Sequence, residues 1–207
     1  AGGRPVLFED PCNANMLETF RRKGCAVIPV PADGQGMRTD CLMGGTNASA
    51  VYATPSHQFP LGGILPAPRR AALIRFAEEN DLYVIEDDYD SEFRYIGDPV
   101  APLHALDPQR VVYVGTFSKV LFPALRVGYA ILPERLQNQW RALRTHTDVQ
   151  NPPFEQAALE ELLKTRKLDR HLSKMRKLYG QRRQALLTAL KRHFGDVSFD
   201  CNVDTAG

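Results

Sequence analysis

Between Gly115 and Tyr129 the sequence reads GTFSKVLFPALRVGY, with Lys119 just after Thr116 and Ser118 and with Arg126 seven positions further on. A lysine amine attacks aldehydes once burial or a neighbouring cation, such as Arg126, leaves a fraction of it unprotonated. The two hydroxyls are short hydrogen-bonding groups, and the guanidinium is a planar fork of donors suited to a phosphate. Together these groups describe a site for a phosphorylated aldehyde. An isolated Ser–Lys pair is more often an exposed loop lysine near an ordinary surface arginine, and this stretch alone leaves both readings open. A P-loop is excluded, because its glycine and lysine spacing is absent.

The elements that must position these residues are legible on either side. VVYVG (Val111 to Gly115) and VGYAIL (Val127 to Leu132) are apolar, β-branched runs that predict buried strands. Lys119 is thus expected at the exit of a strand, where open α/β sheets place their ligands. A second stretch, DLYVIEDDYDSEFRY (Asp81 to Tyr95), is a strand ending in a cluster of acids. Glu86, Asp87, Asp88, Asp90 and Glu92 could be read as a cation site. Strand alternation sends Asp87 and Asp88 to opposite faces, which spoils a shared shell, so no metal is expected. The better account gives Asp87 a task of its own. The ring of pyridoxal 5'-phosphate draws electrons only while its nitrogen is protonated, and a buried carboxylate facing that nitrogen keeps it so.

TPSHQFPLG (Thr54 to Gly62), VIEDDYDSEFRY (Val84 to Tyr95), VGTFSKVLFPALRVGY (Val114 to Tyr129), PPFEQAALEELL (Pro152 to Leu163) and HLSKMRKLYGQRRQALLTAL (His171 to Leu190) follow one another in a familiar order. In these residues the chain resembles fold-type I pyridoxal phosphate enzymes, and within them the aminotransferase-like domain of MocR-type regulators of the GntR group. The resemblance implies that Lys119 is the covalent, catalytic lysine and that Asp87 faces the ring nitrogen. It implies also that Tyr89 donates to the ring's phenolic oxygen, while Thr116, Ser118 and Arg126 hold the phosphate. Where relatives have a glycine and an aromatic after EDP, this chain has Cys12 and Asn13. Where many aminotransferases have an asparagine for the ring hydroxyl it has Phe59, as MocR-type sequences often do.

Composition narrows the classes. With 207 residues and 43% hydrophobic content the chain can bury a core. A net charge of +2 on 24% charged residues marks the whole chain as neither nucleic-acid-binding nor suited to an acidic partner. Cys12, Cys25, Cys41 and Cys201 have no paired metal or redox spacing, and no signal sequence precedes them, so reduced thiols of a cytoplasmic protein are expected. No apolar run reaches membrane-spanning length. His57 has no Cys or His partner at metal spacing and reads as a structural loop histidine in preference to a catalytic one.

In chain order, Pro5 to Phe8 predicts a strand. EDPCNANMLETFRRKGC turns into a helix with Met16, Leu17 and Phe20 on its apolar face and Gly24 as its stop. Strands follow at Ala26 to Val30 and Ala48 to Thr54. Pro66 to Asn80 predicts a helix buried through Leu73, Ile74 and Ala77. PERLQNQWRALRTH predicts another, with Trp140 and Leu143 packing on the sheet. This alternation predicts an α/β fold with a mostly parallel sheet and helices on both faces.

Residues 1–150 are expected to form a large, cofactor-binding domain that lacks the family's first strand and glycine-rich phosphate turn. Residues 151–207 are expected to supply connecting helices and the truncated start of a small domain, with Val197 to Gly207 as its opening strand. In the long helix, Leu172, Met175, Tyr179, Leu186 and Leu190 fall on one stripe. From Lys164 to His193 eleven Lys and Arg face the single acid Asp169. A solvated connecting helix is favoured there over a nucleic-acid face.

Two functional readings follow from the resemblance. The chain is expected to be the effector-sensing part of a MocR-type regulator, binding a small amine or amino acid. Its parent would be a homodimer that meets DNA only through a domain absent from this chain. The alternative is a piece of a catalytic aminotransferase that moves an amino group between an amino acid and a 2-oxo acid.

Overall fold

The computed structural model describes residues 3–95, 100–147 and 150–195. Its elements in order are β1 (Val6–Asp10), α1 (Ala14–Arg22), β2 (Val27–Asp33), β3 (Gly36–Met37), β4 (Ala50–Ala53), α2 (Ala67–Glu79), β5 (Tyr83–Asp88), α3 (Leu103–Leu106), β6 (Val111–Thr116), β7 (Gly128–Ile131), α4 (Glu134–Thr147), α5 (Pro153–Lys164) and α6 (Lys167–Phe194). The sheet runs β3-β2-β1-β4-β5-β6-β7. Its inner ladders from β2 to β6 are parallel, and only the outer strands β3 and β7 pair antiparallel. The expected mixed, mostly parallel α/β fold is what the chain adopts. Val197 to Gly207, read as the start of a small domain, lies outside the described residues.

Chain order explains the two-sided cover. From β1 the chain moves outward through α1 to β2, whereas from β4 it moves the opposite way through α2 to β5. Crossovers of one hand in opposite directions put their helices on opposite faces. On one face Leu7, Val51, Val84 and Val111 meet Leu73, Phe76 and Ala77 of α2. On the other, Val6, Phe8, Ala50 and Tyr52 meet Met16, Leu17 and Phe20 of α1. Each fully buried aliphatic or aromatic side chain among these stabilises the fold by about 1.5–3 kcal/mol.

Local signals fix the helix ends. Asn13 caps α1 by accepting from the Asn15 N–H at 3.0 Å. Arg21 and Arg22 lie in its last turn, where cations complement the helix dipole. Glycine is required at Gly63, because a Cβ there would lie 2.6 Å from the Gly36 nitrogen and 2.7 Å from the Gly34 oxygen, both main-chain atoms.

Three expectations about packing change. Trp140 is 42% exposed and Leu143 56% exposed, so they do not pack on the sheet. β7, whose apolar run predicts a buried strand, is instead the outermost strand, and its four residues are exposed. α4 instead touches the body through Arg135, whose guanidinium lies 4.3 Å from the centre of the Tyr83 ring. In α6, Leu172, Met175, Tyr179 and Leu190 are partly covered, but Leu186 is exposed and Leu187 takes its place. Tyr179 packs edge-on against Phe93 at 5.2 Å, and a His171 nitrogen lies 3.0 Å from the Val120 carbonyl. That contact ties the long helix to the turn carrying Lys119.

Candidate functional site

All parallel strands end at one edge of the sheet, and β1 and β4, whose onward connections diverge, are neighbours there. That is where a crevice for ligands opens in such sheets. The register fixes which side chains share it. Tyr52 pairs with Ile85 and Asp87 with Val114, so Tyr52, Asp87 and Thr116 point to the same face, the one carrying α1. Asp88 points to the other.

Asp87 is partly buried and its Oδ2 accepts from the Tyr52 hydroxyl in a short hydrogen bond. Burial holds its carboxyl above the ordinary carboxylate range, the Tyr52 bond pulls it back, and Asp88 and Asp90 push it up again. Tyr52 is itself locked by stacking on Phe8 at 4.2 Å. A largely buried carboxylate steadied by a tyrosine hydroxyl is suited to a facing cation, such as a protonated ring nitrogen.

Beyond β6 the chain makes a hydroxyl-lined turn. The Thr116 Oγ1 lies 3.0 Å from the Ser118 Oγ and accepts from the Ser118 N–H at 3.1 Å. Lys119 follows and is exposed, and Val120 behind it is buried. Arg126 is exposed and sits in the left-handed region at φ 54°, closing the turn before β7. A non-glycine residue in that region costs free energy on the order of 1 kcal/mol, and such costs gather at functional loops. Gly115 lets this turn form close to β7, since a Cβ there would come 2.4 Å from the tip of the Tyr129 ring.

Asp87, Thr116, Ser118, Lys119 and Arg126 therefore all lie at or just beyond the carboxyl ends of β5 and β6. Tyr89 follows β5, but its hydroxyl donates to the His57 carbonyl at 3.0 Å. His57 is buried, with Nδ1 2.7 Å from an Asp90 carboxylate oxygen.

Sequence reasoning passed over Glu9 and Tyr52. Glu9, at the end of β1, takes both the N–H and the hydroxyl of Thr54, at 3.0 and 2.6 Å, and so ties β1 to the loop after β4. Burial pushes its carboxyl up to about 7 against Thr54 and Gln58, which lower it, and Asp87 adds to the rise. The available signal was an acid closing the apolar run VLFED, a charge where a strand should be buried.

Residues 1–204 match the family Aminotransferase class I and II. The chain is 38% identical over 192 residues to an uncharacterized HTH-type transcriptional regulator, YdeL, of Bacillus subtilis, covering 92% of this chain and 41% of that protein. It is 43% identical over 188 residues to the HTH-type pyridoxine biosynthesis transcriptional regulator PdxR of Corynebacterium glutamicum, covering 89% of this chain and 40% of that one. Among solved structures it superposes with a TM-score of 0.85 on Pyrococcus horikoshii kynurenine aminotransferase, at 32% identity, covering 91% of this chain and 49% of that chain. The chain thus spans about two fifths to one half of the length of these relatives. Its fold is that of pyridoxal phosphate-binding aminotransferases, and the chain belongs to the class I and II aminotransferase family, as a domain closely related both to MocR-type regulators and to catalytic aminotransferases.

Proposed function

We propose that this chain is the effector-sensing part of a MocR-type transcriptional regulator, which binds pyridoxal 5'-phosphate and a small amine or amino acid. The observation that carries the cofactor reading is Asp87, partly buried and sharing one sheet face with Thr116, next to the strand that leads to Lys119. When bound, the cofactor supplies an aldehyde for an amine and a ring that withdraws electrons. Lys119 would be the amine that meets its aldehyde, and it is exposed at the turn after β6. Asp87 would face the ring nitrogen and stabilise its positive charge. Thr116, Ser118 and Arg126 hold the phosphate through hydroxyl, main-chain and guanidinium donors. Tyr89 donates to the ring's phenolic oxygen, which requires its hydroxyl to turn from the His57 carbonyl.

Regulator is favoured over enzyme by Phe59, which cannot donate where many aminotransferases have an asparagine, and by the named regulators among the relatives. The parent is then a homodimer whose separate winged helix meets DNA. The second reading, a catalytic aminotransferase, is favoured by the superposition on kynurenine aminotransferase.

Borohydride reduction after addition of pyridoxal 5'-phosphate should fix the label on Lys119, and Lys119→Ala should abolish both the yellow absorbance and the label. Label on another lysine overturns the assignment. For the parent, duplex DNA binding with a steep salt dependence is expected. Sustained multiple-turnover transamination without DNA affinity would establish the enzyme instead.

A further inference from the structure

Across β5 from Asp87, on the side of α2, a cavity of about 320 Å³ opens at the same edge of the sheet. None of the residues assigned to the cofactor lines it. Its wall includes His57, Arg70, Arg94, Arg176, Ser91 and Glu92. Arg70 is 2% exposed, and its guanidinium donates to the main-chain carbonyls of Leu65 and Pro55 at 2.8 Å and of Ala101 at 3.0 Å. Those bonds fix the group without cancelling its charge. One acid, Glu92, shares this wall, and the Glu86 and Asp88 carboxylates act on Arg70 from behind it, so the side chains that meet a ligand's charge are chiefly those of Arg94 and Arg176 set against Glu92.

His57 supplies an independent pointer. It is 2% exposed, and its Nδ1 is claimed by Asp90 while its Nε2 has no partner. Since the Asp90 carboxylate accepts, the shared proton belongs on Nδ1. Nε2 then presents either a lone pair or, in the imidazolium, a second N–H. A buried polar atom left without a partner costs about 1–3 kcal/mol, which a ligand atom in the cavity would remove. The volume is at the small end of the range for ligand pockets, about 300–1,000 Å³.

From this wall we infer that the cavity is a binding site for a small anion of the carboxylate or phosphate type, held by Arg94 and Arg176 within the field of Arg70, and touching His57 Nε2. Guanidinium forks match both anions, and a protonated Nε2 donates to either. The site is independent of the cofactor reading.

Two probes, inorganic phosphate and succinate, test it on the 207-residue chain. The imidazole ¹⁵N resonances of His57 are followed during each titration, and affinity is measured by calorimetry. A saturable shift of His57 Nε2 is expected with at least one probe; phosphate alone, succinate alone or both would each name the class. Arg176 is exposed on α6, so Arg176→Gln is expected to fold and to weaken binding about tenfold or more. Arg126→Leu should leave binding at this site unchanged. No saturable shift of His57 Nε2 with either anion overturns the inference. So does phosphate binding that Arg126→Leu abolishes and Arg176→Gln spares, since that places the anion at the cofactor turn.

Discussion

Replacing Glu9 by glutamine removes a charge that the fold holds at a disadvantage. The folded protein buries this carboxyl to 1% exposure and moves it from the ordinary 4.5 up to about 7. Below pH 4.5 both folded and unfolded chains carry it protonated, and it makes no difference. Between there and pH 7 the unfolded chain loses the proton first, so rising pH favours unfolding. Above pH 7 both states are ionised and the penalty is complete. The gap, at about 1.4 kcal/mol for each pH unit, amounts to a penalty on the order of 3 kcal/mol. Glutamine can still accept from Thr54, and it places an N–H₂ where the protonated acid would place its O–H, at the unpartnered Oε1 position. Glu9→Gln should therefore match the native chain near pH 4.5 and exceed its stability by a few kcal/mol above pH 8. Urea unfolding followed by circular dichroism across that range measures both curves. Glu86, Asp87 and Glu92 are also raised by burial and add slopes of the same sign, but these cancel in the difference between the two proteins. Parallel curves, with the same loss on going from acid to alkaline pH, would refute the argument.

Asp87→Ala should cost affinity for pyridoxal 5'-phosphate, read by absorbance titration. Asp88→Ala should instead cost about 1–3 kcal/mol of folding stability, because it strands the Tyr113 and Ser91 hydroxyls that Asp88 accepts from at 2.5 and 2.7 Å; a larger affinity loss at Asp88 would reverse the assignment. Arg126→Leu should weaken pyridoxal phosphate by on the order of 1.5–3 kcal/mol while sparing unphosphorylated pyridoxal, and equal losses for both would separate Arg126 from the phosphate. Gly115→Ala should destabilise by about 1–3 kcal/mol through the collision with Tyr129, and combining it with Tyr129→Ala should recover much of that loss; strict additivity of the two would show that the contact is not the cause.

Strand periodicity and β-branched runs located the six longer strands before any coordinates, because those signals are local. They did not carry β2 past Val30 to Asp33, since Pro29 and Pro31 argue against a central strand. The prolines are tolerated because β3 pairs with β2 only at Ala32 and Asp33, so no neighbour on that side needs their missing N–H groups. β3 has two residues and α3 four, too short for a periodicity to show. Trp140 and Leu143 followed the same apolar pattern as buried residues, but a pattern says which face is apolar and not what covers it.

The candidate site divides along the same line between local and long-range information. Alternation alone separated Asp87 from Asp88, and the lysine turn with its hydroxyls was contiguous in the chain. The groups that give each acid its distinct character are not contiguous. Tyr52 is 35 residues from Asp87, Tyr113 is 25 from Asp88, and His57 is 33 from Asp90. Which strand lies beside which decides those pairings, and strand order leaves no periodic trace in a sequence. They also explain how one short segment tolerates so many acids. Asp88 is occupied by Tyr113 and Ser91, and Asp90 by His57, each on the α2 side of the strand. Asp87 faces the other side, where the Tyr52 hydroxyl donates to its Oδ2. A largely buried carboxylate whose described partner is a single tyrosine hydroxyl gains most from a cation placed opposite it, which is why the proposed function gives the ring nitrogen to Asp87 and not to its neighbours.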